Sequence, residues 1–83
     1  MKTIEKYGAS WCGPCHALDK TLKEFESRHP EVKVLYYDVD EIDNIEELHI
    51  TNVPVLRFLD DNGNEIKRLI GAQPLTAIEN ELL

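Results

Sequence analysis

Between positions 12 and about 29, Cys15, Leu18, Leu22, Phe25 and His29 recur at spacings of three and four. That is the apolar stripe of an amphipathic helix, and Pro30 closes it. On its solvent side Asp19 and Lys23 stand in the favourable i, i+4 order, and Lys20 with Glu24 in the weaker reverse order. Residues 2–8 lead into the helix as a short, untidy strand, with Ile4 and Tyr7 apolar among Lys2, Glu5 and Lys6. Residues 32–39 are rich in β-branched and aromatic side chains and read as a second strand. Asp40 then serves as the cap of a short helix with Ile42, Ile45 and Leu48 on its apolar side. A turn at 51–54 enters a third strand at 55–59. Asn62-Gly63 marks a hairpin into a fourth strand at 65–70, because Asn-Gly accepts positive φ. Gly71 breaks that strand, and Pro74 opens a last helix carrying Leu75, Ile78 and Leu82.

The order is therefore β-α-β-α-β-β-α, an α/β chain. The first crossover makes the first two strands parallel and the hairpin makes the last two antiparallel. This arrangement predicts a four-stranded mixed sheet with helices on both faces. Eighty-three residues form a single domain over 1–83, large enough for one core. A hydrophobic fraction of 42% with 30% charged residues is that of a soluble globular chain. The formal net charge of −7, with no basic stripe, argues against a nucleic-acid partner and favours partners with a basic face. No apolar run approaches the ~20 residues of a membrane helix, and no apolar signal region follows Lys2. A cytoplasmic monomer is the expectation.

Chemistry concentrates in Ser10-Trp11-Cys12-Gly13-Pro14-Cys15, which holds both cysteines of the chain. Their spacing, at the start of a helix, forms a dithiol able to close into a disulfide. The first helical turn offers unpaired N–H groups and the positive end of its dipole, which favour a thiolate. Cys12 should thus ionise below the ~8.5 of a free thiol. Gly13 permits the sharp turn and leaves the sulfur uncovered, and Pro14 suits a first helical position. Cys15, one turn further in, should be more buried. Cys12 would attack and Cys15 would resolve the mixed disulfide.

Other uses of these residues fit less well. A zinc site lacks a second cysteine pair, and His16, His29 and His49 do not stand at zinc-finger spacing. Cys12 to His16 spells the CxxCH of haem attachment, but the only methionine is Met1, so no internal methionine is available as second axial ligand. His16 reads as a helix-surface residue beside the dithiol. Asp38, Asp40 and Asp43 lack the glycine and closing glutamate of a calcium loop.

Trp11-Cys12-Gly13-Pro14-Cys15 resembles the active-site motif of the thioredoxin family, and the likeness extends from Lys2 to Leu82. It implies a thioredoxin-like fold shortened at its start to glutaredoxin size. It also implies a cis Pro54 after Val53, facing the cysteines, where an ordinary trans turn proline is the plain alternative. Trp11, Gly13, Pro14, Val53, Pro54 and Gly71 become candidate substrate-binding residues. The Val53 backbone would pair with an extended substrate segment. Trp11 would shield the thiolate and touch substrate rather than fill the core. No bound cofactor is implied; electrons would come from NADPH through a thioredoxin reductase, and disulfide-containing proteins would be the substrates.

One position departs from the family pattern. Six residues before the first motif cysteine, where thioredoxins usually carry a buried aspartate, stands Lys6. Glu5 is adjacent but belongs to the opposite side of the strand. Either another base or water serves the resolving cysteine, or Lys6 stabilises thiolate as a buried cation. The plain alternative is that Lys6 snorkels to solvent. Three functions follow in order: a protein-disulfide reductase; a glutathione-dependent, glutaredoxin-like reductase, which Gly-Pro between the cysteines and Ala72-Gln73 after Gly71 disfavour; and a redox-capable scaffold subunit, which the intact dithiol disfavours.

Overall fold

Leu18, Leu22 and Phe25 lie along one side of helix α1 (Gly13–Arg28), and each is almost wholly withdrawn from solvent. They pack on Ile4 of β1 (Thr3–Gly8) and on Leu56 and Phe58 of β3 (Val55–Leu59). Val34 of β2 (Lys33–Asp38) and Leu69 of β4 (Glu65–Ile70) border this core, and Ile78 of α2 (Leu75–Asn80) completes it. Each fully buried Leu or Phe contributes roughly 1.5–3 kcal/mol, so this one interface carries most of the apolar stabilisation. The computed structural model describes residues 2–83.

The sheet order is β2-β1-β3-β4. β1 and β2 run parallel, while β1 with β3 and β3 with β4 are antiparallel. The mixed α/β sheet expected from element order is the one the chain forms. The hairpin closes at Asp60, whose carboxylate accepts the N–H groups of Asn62 and Asn64 at 2.9 Å each. Gly63 takes φ +83° there.

α1 and α2 share one face of the sheet, joined where His29 meets the Glu79 carboxylate at 2.7 Å. His29, the C-cap of α1, also packs on Phe25 and so closes the apolar stripe at the end of the helix. The segment expected to be a short α-helix is instead two 3₁₀ turns, Val39–Glu41 and Ile45–Leu48. The capping carboxylate is that of Asp38, which accepts from the Asp40 N–H, and not that of Asp40. Two causes are evident. Ile42, Ile45 and Leu48 are only half-buried, so too little packing rewards a regular helix. Six acidic side chains between 38 and 47 also repel one another without an intervening base. This segment is tied to the second face of the sheet by Arg68, which donates to the His49 carbonyl at 3.2 Å.

The second face of β1 carries an ionic network rather than a second apolar layer. Arg57 meets Glu5 at 2.6 Å and Glu65 at 2.7 Å, and Arg68 meets Glu65 at 2.7 Å. Tyr7 donates to Glu5 at 2.9 Å and stacks on Tyr37. The solvent-side pairs expected on α1 do not form: Glu24 pairs with Arg28, Lys23 lies over the Tyr36 ring, and Asp19 turns inward. Arg28 in the last turn of α1 has the better N-to-C order with Glu24, and Tyr36 offers Lys23 a π face.

Glu65 is the acid-sensitive joint of the network. Hydrogen bonding to the Arg68 guanidinium draws its carboxyl from the ordinary 4.5 down to about 2, with burial opposing and Arg57 adding to the pull. A carboxyl whose folded value is depressed stabilises fully above its unfolded value and loses that support as pH falls through the folded one. Stability should therefore decline between about pH 4.5 and pH 2. Glu65→Gln should flatten that decline in denaturant titrations across this range, at a cost of about 1 kcal/mol near neutrality.

Candidate active site at the N-terminus of the long helix

Cys12 has extended backbone geometry and is the N-cap of α1. Its sulfur accepts the Cys15 N–H at 3.2 Å, which answers one of the donors left open by the first helical turn. Pro14 needs no such acceptor, and Gly13 and Pro14 are both exposed. The chain arrives from β1 through a tight turn in which the Cys12 N–H donates to the Ala9 carbonyl at 3.1 Å. The two cysteines are joined as a disulfide, with Cα atoms 5.3 Å apart. Cys15 is 1% exposed and Cys12 is 6% exposed, so the more accessible cysteine is the one at the cap position.

Three separate stretches meet at this disulfide. The Val53 carbonyl oxygen lies 3.9 Å from Cys12 Sγ, and Val53 packs with Val39 against Ala9 and the cysteines. The Val53–Pro54 peptide bond is cis and Pro54 is fully buried. The Pro54 carbonyl accepts the Gly71 N–H at 2.8 Å, and Gly71 adopts φ +92°, a region that favours glycine. Trp11, Gly13, Pro14, Val53, Pro54 and Gly71 are thus brought to one end of the sheet around Cys12.

Trp11 is 70% exposed, on the rim rather than in the core. Its indole N–H donates to the Asp40 carboxylate at 2.9 Å, which fixes the ring beside the sulfur. A cleft of about 380 Å³ runs between Trp11 and Val53, with Val39, Ile45 and Ile50 giving it an apolar floor. His16 is exposed and contacts the Ser10 carbonyl at 2.9 Å, bracing the loop before the motif.

Lys6 does not snorkel to solvent. It is buried on the α1 side of the sheet, with its ammonium 2.8 Å from Asp19 Oδ1. Glu5 faces the opposite side, as strand alternation requires. Sequence reasoning missed Asp19, Gly8 and Asp40 as parts of this neighbourhood. Helical spacing placed Asp19 on the solvent side, where Lys23 stood in register. Only the strand packed against α1 supplies the buried cation that turns it inward.

A family model described as Thioredoxin matches residues 2–83. The chain belongs to the thioredoxin family. It is 29% identical over 71 residues to Thioredoxin-1 of Saccharomyces cerevisiae, a match covering 86% of this chain and 69% of that one. Thioredoxin H2 of Arabidopsis thaliana is 34% identical over 71 residues, which cover 84% of this chain and 53% of the relative. The chain thus spans between about half and two thirds of these curated relatives. The crystal structure of oxidised mitochondrial thioredoxin 3 from Saccharomyces cerevisiae superposes with a TM-score of 0.86 at 34% identity, covering 96% of this chain and 74% of the other. The family, together with the Cys12–Cys15 disulfide, makes the chain a thiol–disulfide oxidoreductase whose relatives are thioredoxins rather than glutaredoxins.

In the reduced protein the Cys12 thiol should ionise below the ~8.5 of a free cysteine, since the helix end and the Cys15 N–H both favour its anion. The pH dependence of alkylation in a Cys15→Ser variant measures this directly. A midpoint at the ordinary value would mean that the helix end contributes nothing.

Proposed function

We propose that this protein reduces disulfides in other proteins and is recharged by a flavoprotein thioredoxin reductase drawing on NADPH. The observation that supports it best is the placement of the Cys12 sulfur. It accepts a helix N-terminal N–H, lies beside the Val53 carbonyl, and has the less accessible Cys15 one turn behind it. The Cys12 thiolate attacks one sulfur of the substrate disulfide, forming a mixed disulfide and releasing the other sulfur as a thiolate. Cys15 then loses its proton and attacks Cys12 Sγ. The Cys12–Cys15 bond forms, the bond to substrate breaks, and the second substrate sulfur leaves with the electron pair to be protonated by solvent. Two electrons have moved from the dithiol to the substrate.

Val53 beside the cis Pro54 offers backbone polar groups to an extended substrate segment, and Trp11 with the adjoining cleft receives an apolar side chain from it. Asp40 on the wall of that cleft, with Asp38 and Glu41 on the wall of the polar cleft beside Lys6, favours substrates and a reductase with a basic face. The working form in this reading is a monomer in the cytoplasm, where a dithiol is kept reduced, with no bound cofactor.

Recycling of the oxidised protein by thioredoxin reductase with NADPH should outpace recycling by reduced glutathione by at least about tenfold, a difference in barrier near 1.4 kcal/mol. The reverse preference would move the protein to the glutathione-dependent reading. Cys15→Ser should accumulate a stable mixed disulfide with substrate, visible by mass spectrometry. Full biological activity in a Cys12→Ser, Cys15→Ser variant would instead mark the fold as a scaffold.

A further inference from the structure

Among the described residues, Lys6 is the only charged side chain counted as buried. Its position is set by Gly8, which follows it on the same side of β1. A Cβ on Gly8 would stand 2.5 Å from Lys6 Nζ, 2.8 Å from Lys6 Cε and 3.2 Å from Cys15 Cβ. The lysine head therefore occupies the space a side chain at position 8 would take, and both it and Cys15 border that space. Asp19 lies four residues after Cys15 on α1, on the same side of the helix. Its Oδ1 is buried and makes no aligned hydrogen bond; what it has is the Lys6 ammonium at 2.8 Å. The pair opens onto a polar cleft of about 320 Å³ whose other ionisable walls are His16, Tyr36, Tyr37, Asp38 and Glu41. Those groups, Cys12, and Lys23 over the Tyr36 ring are the charges and titrating sites near it.

We propose that Lys6 and Asp19 are an opposed pair of positioning residues that poises Cys15, the resolving thiol, for its attack on the mixed disulfide. The ammonium draws Cys15 towards its thiolate from the strand side, because a nearby cation favours the anion. The carboxylate holds the ammonium in place and limits that pull. When Cys15 attacks Cys12 Sγ, its proton leaves to solvent by way of the polar cleft that Lys6 and Gly8 line. The strand thus contributes a cation and the helix an anion to a thiol that each flanks. The proposal rests on the exchange chemistry of Cys12 and Cys15 but not on the identity of substrate or reductant.

The test uses the full chain carrying Cys12→Ser, in which Cys15 is the single thiol, titrated by thiolate absorbance and by alkylation rate. Lys6→Met should lower the Cys15 thiolate fraction at neutral pH about tenfold, Asp19→Asn should raise it, and Lys6→Arg should restore most of it. Lys6→Gln, which keeps a donor for Asp19, gives the same reading should Lys6→Met not fold. Opposite displacements by the two charge removals support the pair, since a merely structural role would move both alike. No change in Cys15, changes in the same direction, or an equal change at Cys12 in the Cys15→Ser background would overturn it. The titration involves no substrate or reductase, so its failure would leave the proposed reductase activity standing.

Discussion

The structure depends on the burial of one side of α1 against β1 and β3. Leu18, Leu22 and Phe25 settle on Ile4, Leu56 and Phe58, and this fixes where the helix begins as firmly as where it lies. Its first turn is thereby held over the ends of β1 and β3, and the cysteines come with it. An isolated helix of this length would fray at its N-terminus, and the open N–H groups there would be answered by water. Here one of them, the Cys15 N–H, points at a sulfur that the chain has brought to the cap position. Chemistry and packing are thus consequences of one interface.

β1 serves two environments at once because its side chains alternate. Ile4, Lys6 and Gly8 face α1, while Glu5 and Tyr7 face the ionic network with Arg57 and Glu65. The charge on the helix side is the more consequential. A cation buried beside a thiol alters its acid–base behaviour far more than one in water, because little solvent screens it. Removal of one partner of such a pair leaves the other charge uncompensated, which makes Lys6 and Asp19 depend on each other. On the opposite side, the Tyr7–Tyr37 stack and the arginine–glutamate contacts hold the strands in register where no α-helix lies against them.

Much of this was legible beforehand, for reasons that differ by element. The α1 stripe is long and strongly periodic, and the Asn62-Gly63 turn has a stereochemical cause, so both emerge from local pattern. The segment from 39 to 48 does not, because its apolar residues bury too little for the helical period to prevail over charge repulsion and the Asp38 cap. The positions of Trp11, Pro54 and Gly71 around Cys12 followed from family resemblance; nothing in their own spacing joins residues 11, 54 and 71. Asp40 was read as a cap and is instead the acceptor that orients Trp11.

By itself the sequence determined the order of the four strands and the two α-helices, the amphipathic side of α1 and the dithiol at its start, because each is encoded in neighbours a few residues apart. The tertiary structure alone decided that Lys6 is buried rather than solvated, that Asp19 turns inward to meet it, and that Gly8 leaves the room between β1 and Cys15 in which they pair. Those outcomes hinge on which side chains face each other across a helix–strand interface. That is a matter of distance in space between residues that the chain keeps apart, and no periodicity along it records the result.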